Sequence, residues 1–82
     1  RIGQFAFSFC KRIYLLKSDS IIQIDNYAFY ECTGLQKIIL RNCDSISETS
    51  FEQCQFINFV YIPKCIVSID DIGYMFSSLQ EQ

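Results

Sequence analysis

Apolar residues recur along this chain at intervals of about twenty-two residues. Written in blocks of that length, the sequence aligns in seven columns of matching residue types over three consecutive blocks. Three of these columns are Ile2, Ile24 and Ile46, then Phe7, Phe29 and Phe51, then Cys10, Cys32 and Cys54. Agreement over so many columns indicates an internal repeat, and repeats of this length are typical of solenoids.

The second half of each block predicts a short strand. Its apolar positions follow the pattern Leu-x-x-Ile-x-Leu, which is clearest from Leu35 to Cys43. Alternation with a period of two places these residues on one face of a strand, which we expect to face the core. The inward pairs predicted in this way are Leu16 and Ser18, Ile38 and Leu40, and Val60 and Ile62, of which only Ser18 is polar. One strand per block, stacked, gives a parallel sheet along an inner wall.

The first half of each block predicts an outer wall with a short helical turn. Ala28, Phe29 and Cys32 are spaced i, i+1 and i+4, which places them on one side of a helix. The predicted fold is therefore an α/β solenoid with short parallel strands on the concave wall and short helical turns on the convex wall. The repeats are assigned to residues 2–23, 24–45 and 46–68, with a degenerate fourth repeat or a cap at 69–82.

The opening Ile, the Ala-Phe pair, the Cys three residues later and the strand pattern together resemble the BspA-like leucine-rich repeats. The resemblance covers Ile2 to about Ile69. Family members usually have Pro after the strand and Gly after the opening Ile, and this chain has them only at Pro63 and Gly3. The resemblance implies surface display, adhesion or other protein binding, and it supplies no catalytic residue.

Charge and length exclude several classes of partner. The formal net charge is −2 and the seven Lys and Arg are scattered, so no basic patch for nucleic acid or an anionic membrane is visible. The longest apolar run is far shorter than the roughly 20 residues that span a bilayer, so we expect no membrane insertion here. The chain begins with Arg1 and ends within the repeat pattern, and we therefore expect flanking repeats of the same chain.

No set of residues indicates catalysis or a cofactor. The chain has no His, which removes the usual general base and any Ser-His or Cys-His pair. The carboxylates Asp70, Asp71, Glu48 and Glu52 are interpreted as solvated surface rather than as a catalytic pair. We therefore expect these residues to form no active site and to bind no cofactor. An enzyme domain elsewhere in a longer chain is a separate hypothesis.

The five cysteines are predicted to be structural. Cys10, Cys32 and Cys54 are one repeat apart, as are Cys43 and Cys65, so both sets should point inward as buried thiols. A zinc site is disfavoured because the chain has no His and no Cys-x-x-Cys pair. A disulfide remains an alternative, since neighbouring strands of a stack lie about 4.8 Å apart.

The candidate binding residues are the strand positions that face away from the core. Several of them are large and apolar where a monomer usually has polar side chains, and cations lie beside them. They are Leu15, Lys17, Lys37, Ile39, Arg41, Phe59 and Tyr61. This composition is typical of a protein interface. The alternatives are cover by another part of the same protein and plain exposure to solvent.

The predicted function is protein recognition by this wall, with a protein partner, at a cell surface as the resemblance implies. The alternative is an intracellular structural or scaffold role in a large assembly such as a cytoskeletal one. Two features favour the alternative: cysteine ladders that suit a reducing compartment, and the absence of an Asn-x-Ser/Thr acceptor sequence.

Overall fold

The computed structural model describes residues 1–65, which form three stacked rungs, one for each predicted repeat. The strands among these residues are β1 (Leu15–Ser18), β2 (Gln23–Ile24), β3 (Lys37–Leu40), β4 (Ser45–Ile46) and β5 (Phe59–Tyr61). The predicted fourth repeat or cap at 69–82 lies outside the described residues, and the repeat boundaries stay a prediction.

The larger sheet contains the predicted strands. It has the order β1-β3-β5 and is parallel throughout, which confirms the expected stacking of one strand per repeat. Leu16 pairs in register with Ile38, and Ile38 with Val60. Ile38 and Leu40 are fully buried, whereas Leu16 and Val60 are half-buried.

The opening isoleucines form a second, smaller parallel sheet that the sequence did not predict. Strands β2 and β4 pair with Ile24 opposite Ile46, and an isolated bridge joins Ile2 to Ile24. The Ile2 amide donates to the carbonyl of Gln23 over 2.8 Å, and the Asp25 amide donates to the carbonyl of Ile2 over 2.9 Å. Each repeat therefore contributes two short extended segments to the stack, one at its opening and one at its second half.

The predicted helical turns of the outer wall are not confirmed, because residues 1–65 contain no helix. The segments concerned are residues 4–9, 26–31 and 48–53, which are turns and are named the turn wall here. In this wall the Tyr30 amide donates to the backbone carbonyl of Tyr27, in its own rung, over 3.2 Å. The amides of Phe29 and Glu31 donate instead to backbone carbonyls of the next rung, those of Ser50 over 2.8 Å and Glu52 over 2.9 Å.

This alternation excludes a helix, in which every amide donates to the carbonyl four residues earlier. Backbone conformation excludes it as well, since Tyr27 and Glu31 have φ values of 58° and 53°. The residues one repeat away, Phe5, Phe9 and Gln53, have φ values of 58°, 62° and 65°. Left-handed residues at every fourth position break a right-handed helix into successive turns. The described fold is thus a β-solenoid of strands and turns.

A stack of phenylalanine rings runs through the core between the two walls. The rings of Phe7 and Phe29 are stacked with centroids 5.3 Å apart, and those of Phe29 and Phe51 with centroids 5.2 Å apart. Phe29 and Phe51 are buried, but Phe7 is 40% exposed. Phe7 lies in the first rung, so among the described residues only one of its ring faces is covered.

Candidate functional site

The larger sheet brings six of the seven predicted binding residues together on one face. We name this face the strand face, and it consists of Leu15, Lys17, Lys37, Ile39, Phe59 and Tyr61. Lys37 pairs in register with Leu15 on one side and Phe59 on the other, and Ile39 pairs with Lys17 and Tyr61. Successive side chains of a strand point to opposite faces, so these residues face away from the buried Ile38 and Leu40.

The apolar side chains of the strand face are open to solvent. Leu15, Phe59 and Tyr61 are 41%, 48% and 47% exposed, and Ile39 between them is half-buried. Two aromatic rings and a leucine exposed on a single face add no stability to the fold, because apolar surface stabilises only when it is buried, by about 25 cal/mol per Å². Such a group of exposed apolar residues is typical of an interaction surface.

Arg41, the seventh predicted residue, lies at the end of β3 and is engaged within the chain. Its Nε lies 4.0 Å from Oδ1 of Asp19, and both side chains are exposed. The backbone of Asp19 accepts a hydrogen bond from Nδ2 of Asn42 over 2.9 Å, and Oδ1 of Asn42 accepts one from Nζ of Lys64 over 2.8 Å. These polar contacts join the three rungs at the strand ends, and they place Arg41 at the edge of the strand face.

The strand face and the turn wall carry charged side chains of opposite sign. Lys17 and Lys37 belong to the strand face and are exposed, and neither forms an ion pair with a carboxylate of residues 1–65. Three carboxylates belong to the turn wall instead: Glu31, Glu48 and Glu52. The strand face is therefore apolar and cationic, whereas the opposite wall carries acidic residues.

Comparison with known proteins places the chain in a family. The family model that is described as the BspA type leucine rich repeat region (6 copies) matches residues 1–81. The chain belongs to this BspA-type leucine-rich-repeat family. Leucine-rich repeats generally mediate protein–protein interaction, and the family is a non-enzymatic one. Neither a search of curated proteins nor a search of solved structures found a match.

All five thiols of the BspA-type cysteine columns are free; Cys32, Cys43 and Cys54 are buried as predicted, whereas Cys10 and Cys65 are half-buried. Sγ of Cys32 donates to the carbonyl of Phe7 over 3.0 Å, and Sγ of Cys54 donates to the carbonyl of Phe29 over 3.0 Å. Each of these thiols thus bonds to the backbone of the preceding rung. In residues 1–65 no three His, Cys, Asp or Glu side chains are grouped so that they could hold a metal ion.

The environment of the thiols keeps several of them protonated. Burial raises the pKa of Cys43 and of Cys65 above the usual thiol range. The contact between the Cys54 and Cys32 thiols lowers the pKa of Cys32 to about 7 and, together with burial, raises the pKa of Cys54. A thiol whose pKa is raised stays protonated at neutral pH and is then a poor nucleophile and a poor metal ligand. The arrangement of the thiols indicates a packing role in the BspA-type stack.

The turn wall exposes a second aromatic cluster that the sequence analysis missed. It consists of Phe5, Phe9, Tyr27 and Tyr30. Phe5 and Tyr27 are stacked with centroids 5.2 Å apart, and Phe9 meets Tyr30 edge-on at 5.5 Å, although Phe9 stays 56% exposed. Phe5 and Tyr27 are one repeat apart, so the spacing of the BspA-type repeat could have revealed this column.

Residues 1–65 contain no helix long and apolar enough to cross a bilayer.

Proposed function

We propose that this BspA-type segment recognises a protein partner through its strand face. The observation that carries the proposal is the position of Phe59 and Tyr61, two half-exposed rings on one face of a hydrogen-bonded strand. Leu15 and Ile39 supply apolar surface from the two preceding rungs. Aromatic anchors at the centre of an interface typically provide most of its binding energy.

The backbone beneath these rings supports the same proposal. The amides of Asn58 and Phe59 donate to the carbonyl of Gln36 over 2.8 and 3.2 Å, so β5 is fixed against β3 at its start. Side chains on a paired sheet lose little backbone freedom when they bind, which favours affinity. The strand face thus offers a preformed surface rather than one that the partner must order.

Truncation of the two rings tests the proposal. Phe59→Ala or Tyr61→Ala should weaken binding of the partner at least roughly thirtyfold, because loss of a buried anchor costs about 2 kcal/mol or more. Neither substitution should unfold the protein, since both side chains lie outside the core. Binding is measured by calorimetry with a partner isolated on the wild-type protein, and folding by urea denaturation.

The matched control is Phe9→Ala, which removes a similarly exposed aromatic ring from the turn wall. Glu48→Ala and Glu52→Ala remove charge from the same wall. All three should leave the affinity nearly unchanged. Loss of binding in Phe9→Ala together with normal binding in Phe59→Ala would assign recognition to the turn wall and refute the strand face.

For the cellular setting, we propose surface recognition as the first candidate. The second candidate is a scaffold role inside the cell, which is favoured by the five free thiols of the stack, because reducing compartments keep cysteines unpaired. Antibody labelling of the tagged protein on intact cells decides between the two candidates. Labelling before permeabilisation supports surface recognition, and labelling only after permeabilisation supports the scaffold.

A further inference from the structure

The cations of the strand face are interleaved with its apolar residues. Lys37 lies in register between Leu15 and Phe59, and Lys17 lies beside Ile39. Neighbouring strands are about 4.8 Å apart, so a partner that covers the apolar side chains also covers the stems of both lysines. The ammonium groups then lose part of their hydration.

Hydration lost in this way must be replaced, because an unpaired charge removed from water is costly. The described chain supplies no replacement, since its ion pairs are Arg1 with Asp25 and Arg41 with Asp19. Carboxylates of a partner can provide this compensation. Complementary charge of this kind also raises the rate of association and rejects partners of the wrong sign.

We propose that the strand face binds an acidic segment of a partner protein, with carboxylates that meet Lys17 and Lys37 and apolar side chains that pack on Phe59 and Tyr61. This inference rests on the proposed function and adds the chemistry of the partner. A nucleic acid fits the same face less well. Two lysines flanked by leucine, isoleucine and phenylalanine do not make the continuous basic track that follows a phosphate backbone.

A phage-displayed library of random linear peptides provides the probe. The library is selected on the immobilised wild-type protein and, separately, on the double variant Lys17→Glu/Lys37→Glu. Peptides selected on the wild type should be enriched in Asp and Glu together with large apolar residues. The charge-reversed variant should select peptides enriched in Lys and Arg.

Synthetic copies of the strongest wild-type peptides are then titrated against a panel of variants. Their affinity should fall at least roughly tenfold for Lys17→Glu/Lys37→Glu and for the milder Lys17→Gln/Lys37→Gln. The matched control is Lys11→Glu/Arg12→Glu, which reverses two exposed cations in a turn outside the strand face and should change the affinity less than about twofold. Urea denaturation of each variant verifies its fold.

A further variant separates this inference from the proposed function. If the selected peptides lose affinity for Phe59→Ala/Tyr61→Ala but carry no excess of acidic residues, the acidic partner is refuted and the recognition face stands. If they bind Phe59→Ala/Tyr61→Ala normally, both are refuted. Equal competition by a single-stranded oligonucleotide would also overturn the inference, because charge alone would then explain binding.

Discussion

Gly34 allows the turn before β3 to pass against the preceding rung. A Cβ added at this position would clash with the carbonyl oxygen of Lys11 and lie 3.3 Å from the carbonyl oxygen of Ile13. Both contacts are backbone atoms, so they cannot move aside as the end of a flexible side chain could. Glycine is thus required here by the close approach of two rungs, and a repeat-column alignment contains no sign of that requirement.

Gly34→Ala should lower the free energy of unfolding by about 1 to 3 kcal/mol, because the added methyl group forces the first two rungs apart. Urea denaturation measures the change. Gly3→Ala is the matched control, since no heavy atom lies within 4 Å of a Cβ built there, and it should not destabilise the protein. An equal loss of stability in both variants would contradict the close-approach explanation.

Ser18 shows a second local requirement, at a position where the repeat pattern expects an apolar residue. Its Oγ accepts hydrogen bonds from the amides of Ser20 and Ile21, over 3.1 and 3.2 Å. A serine that bonds to amides two and three residues later closes a turn. The departure of the first repeat from the apolar pattern therefore reflects a turn at the end of β1.

Among the elements, the strands could be predicted from the sequence and the turn wall could not. Alternation of apolar residues with a period of two is typical of a strand, in which successive side chains point to opposite faces. It therefore predicted which side chains of β1, β3 and β5 face the core and which face outward. The spacing of Ala28, Phe29 and Cys32 fits a helix, but it also fits successive turns that bury the same three residues. The hydrogen bonds from amides to the next rung show that the segment forms turns rather than a helix. Contacts of this kind between repeats produce no residue periodicity within one repeat.

The candidate binding residues could likewise be predicted on the strands but not on the turn wall. Lys37 and Ile39 could be assigned to the strand face because their register with the neighbouring strands follows from the repeat length. The turn-wall rings Phe5 and Tyr27 were missed because this wall was expected to be helical, whereas both residues have a left-handed backbone and their rings stack on each other. Residue type alone does not reveal that conformation in an aromatic residue.

The phenylalanine stack joins the three rungs, and its central member contributes most. The ring of Phe29 is only 1% exposed and packs between Phe7 and Phe51. Phe29→Ala should therefore lower the free energy of unfolding by about 3 to 5 kcal/mol, through lost burial and the cavity left behind. Phe56→Ala, at an exposed ring, should cost less than about 0.5 kcal/mol in the same urea titration. Similar losses in the two variants would contradict the proposed register of the core.

At the scale of the whole molecule, the cysteine columns couple stability to pH. Cys43 and Cys65 occupy equivalent positions in neighbouring rungs, and Cys54 belongs to the other column. The pKa of each of these three thiols is raised in the folded protein. The pKa of Cys32 is shifted in the opposite direction, to about 7, by its contact with Cys54, so the coupling expected at alkaline pH is the one through the thiols with a raised pKa.

The sign of this coupling follows from proton binding. A thiol with a raised pKa in the folded state holds its proton more strongly there than in the unfolded chain, where the pKa is about 8.5. The stabilising contribution is complete below that value and is lost as the pH rises toward the folded pKa. The urea midpoint should therefore fall between about pH 8 and about pH 9.5. In Cys43→Ala the fall should be shallower, and the tyrosines common to both proteins cancel in the comparison. Identical slopes in the two proteins would show that the buried thiols do not control the alkaline stability.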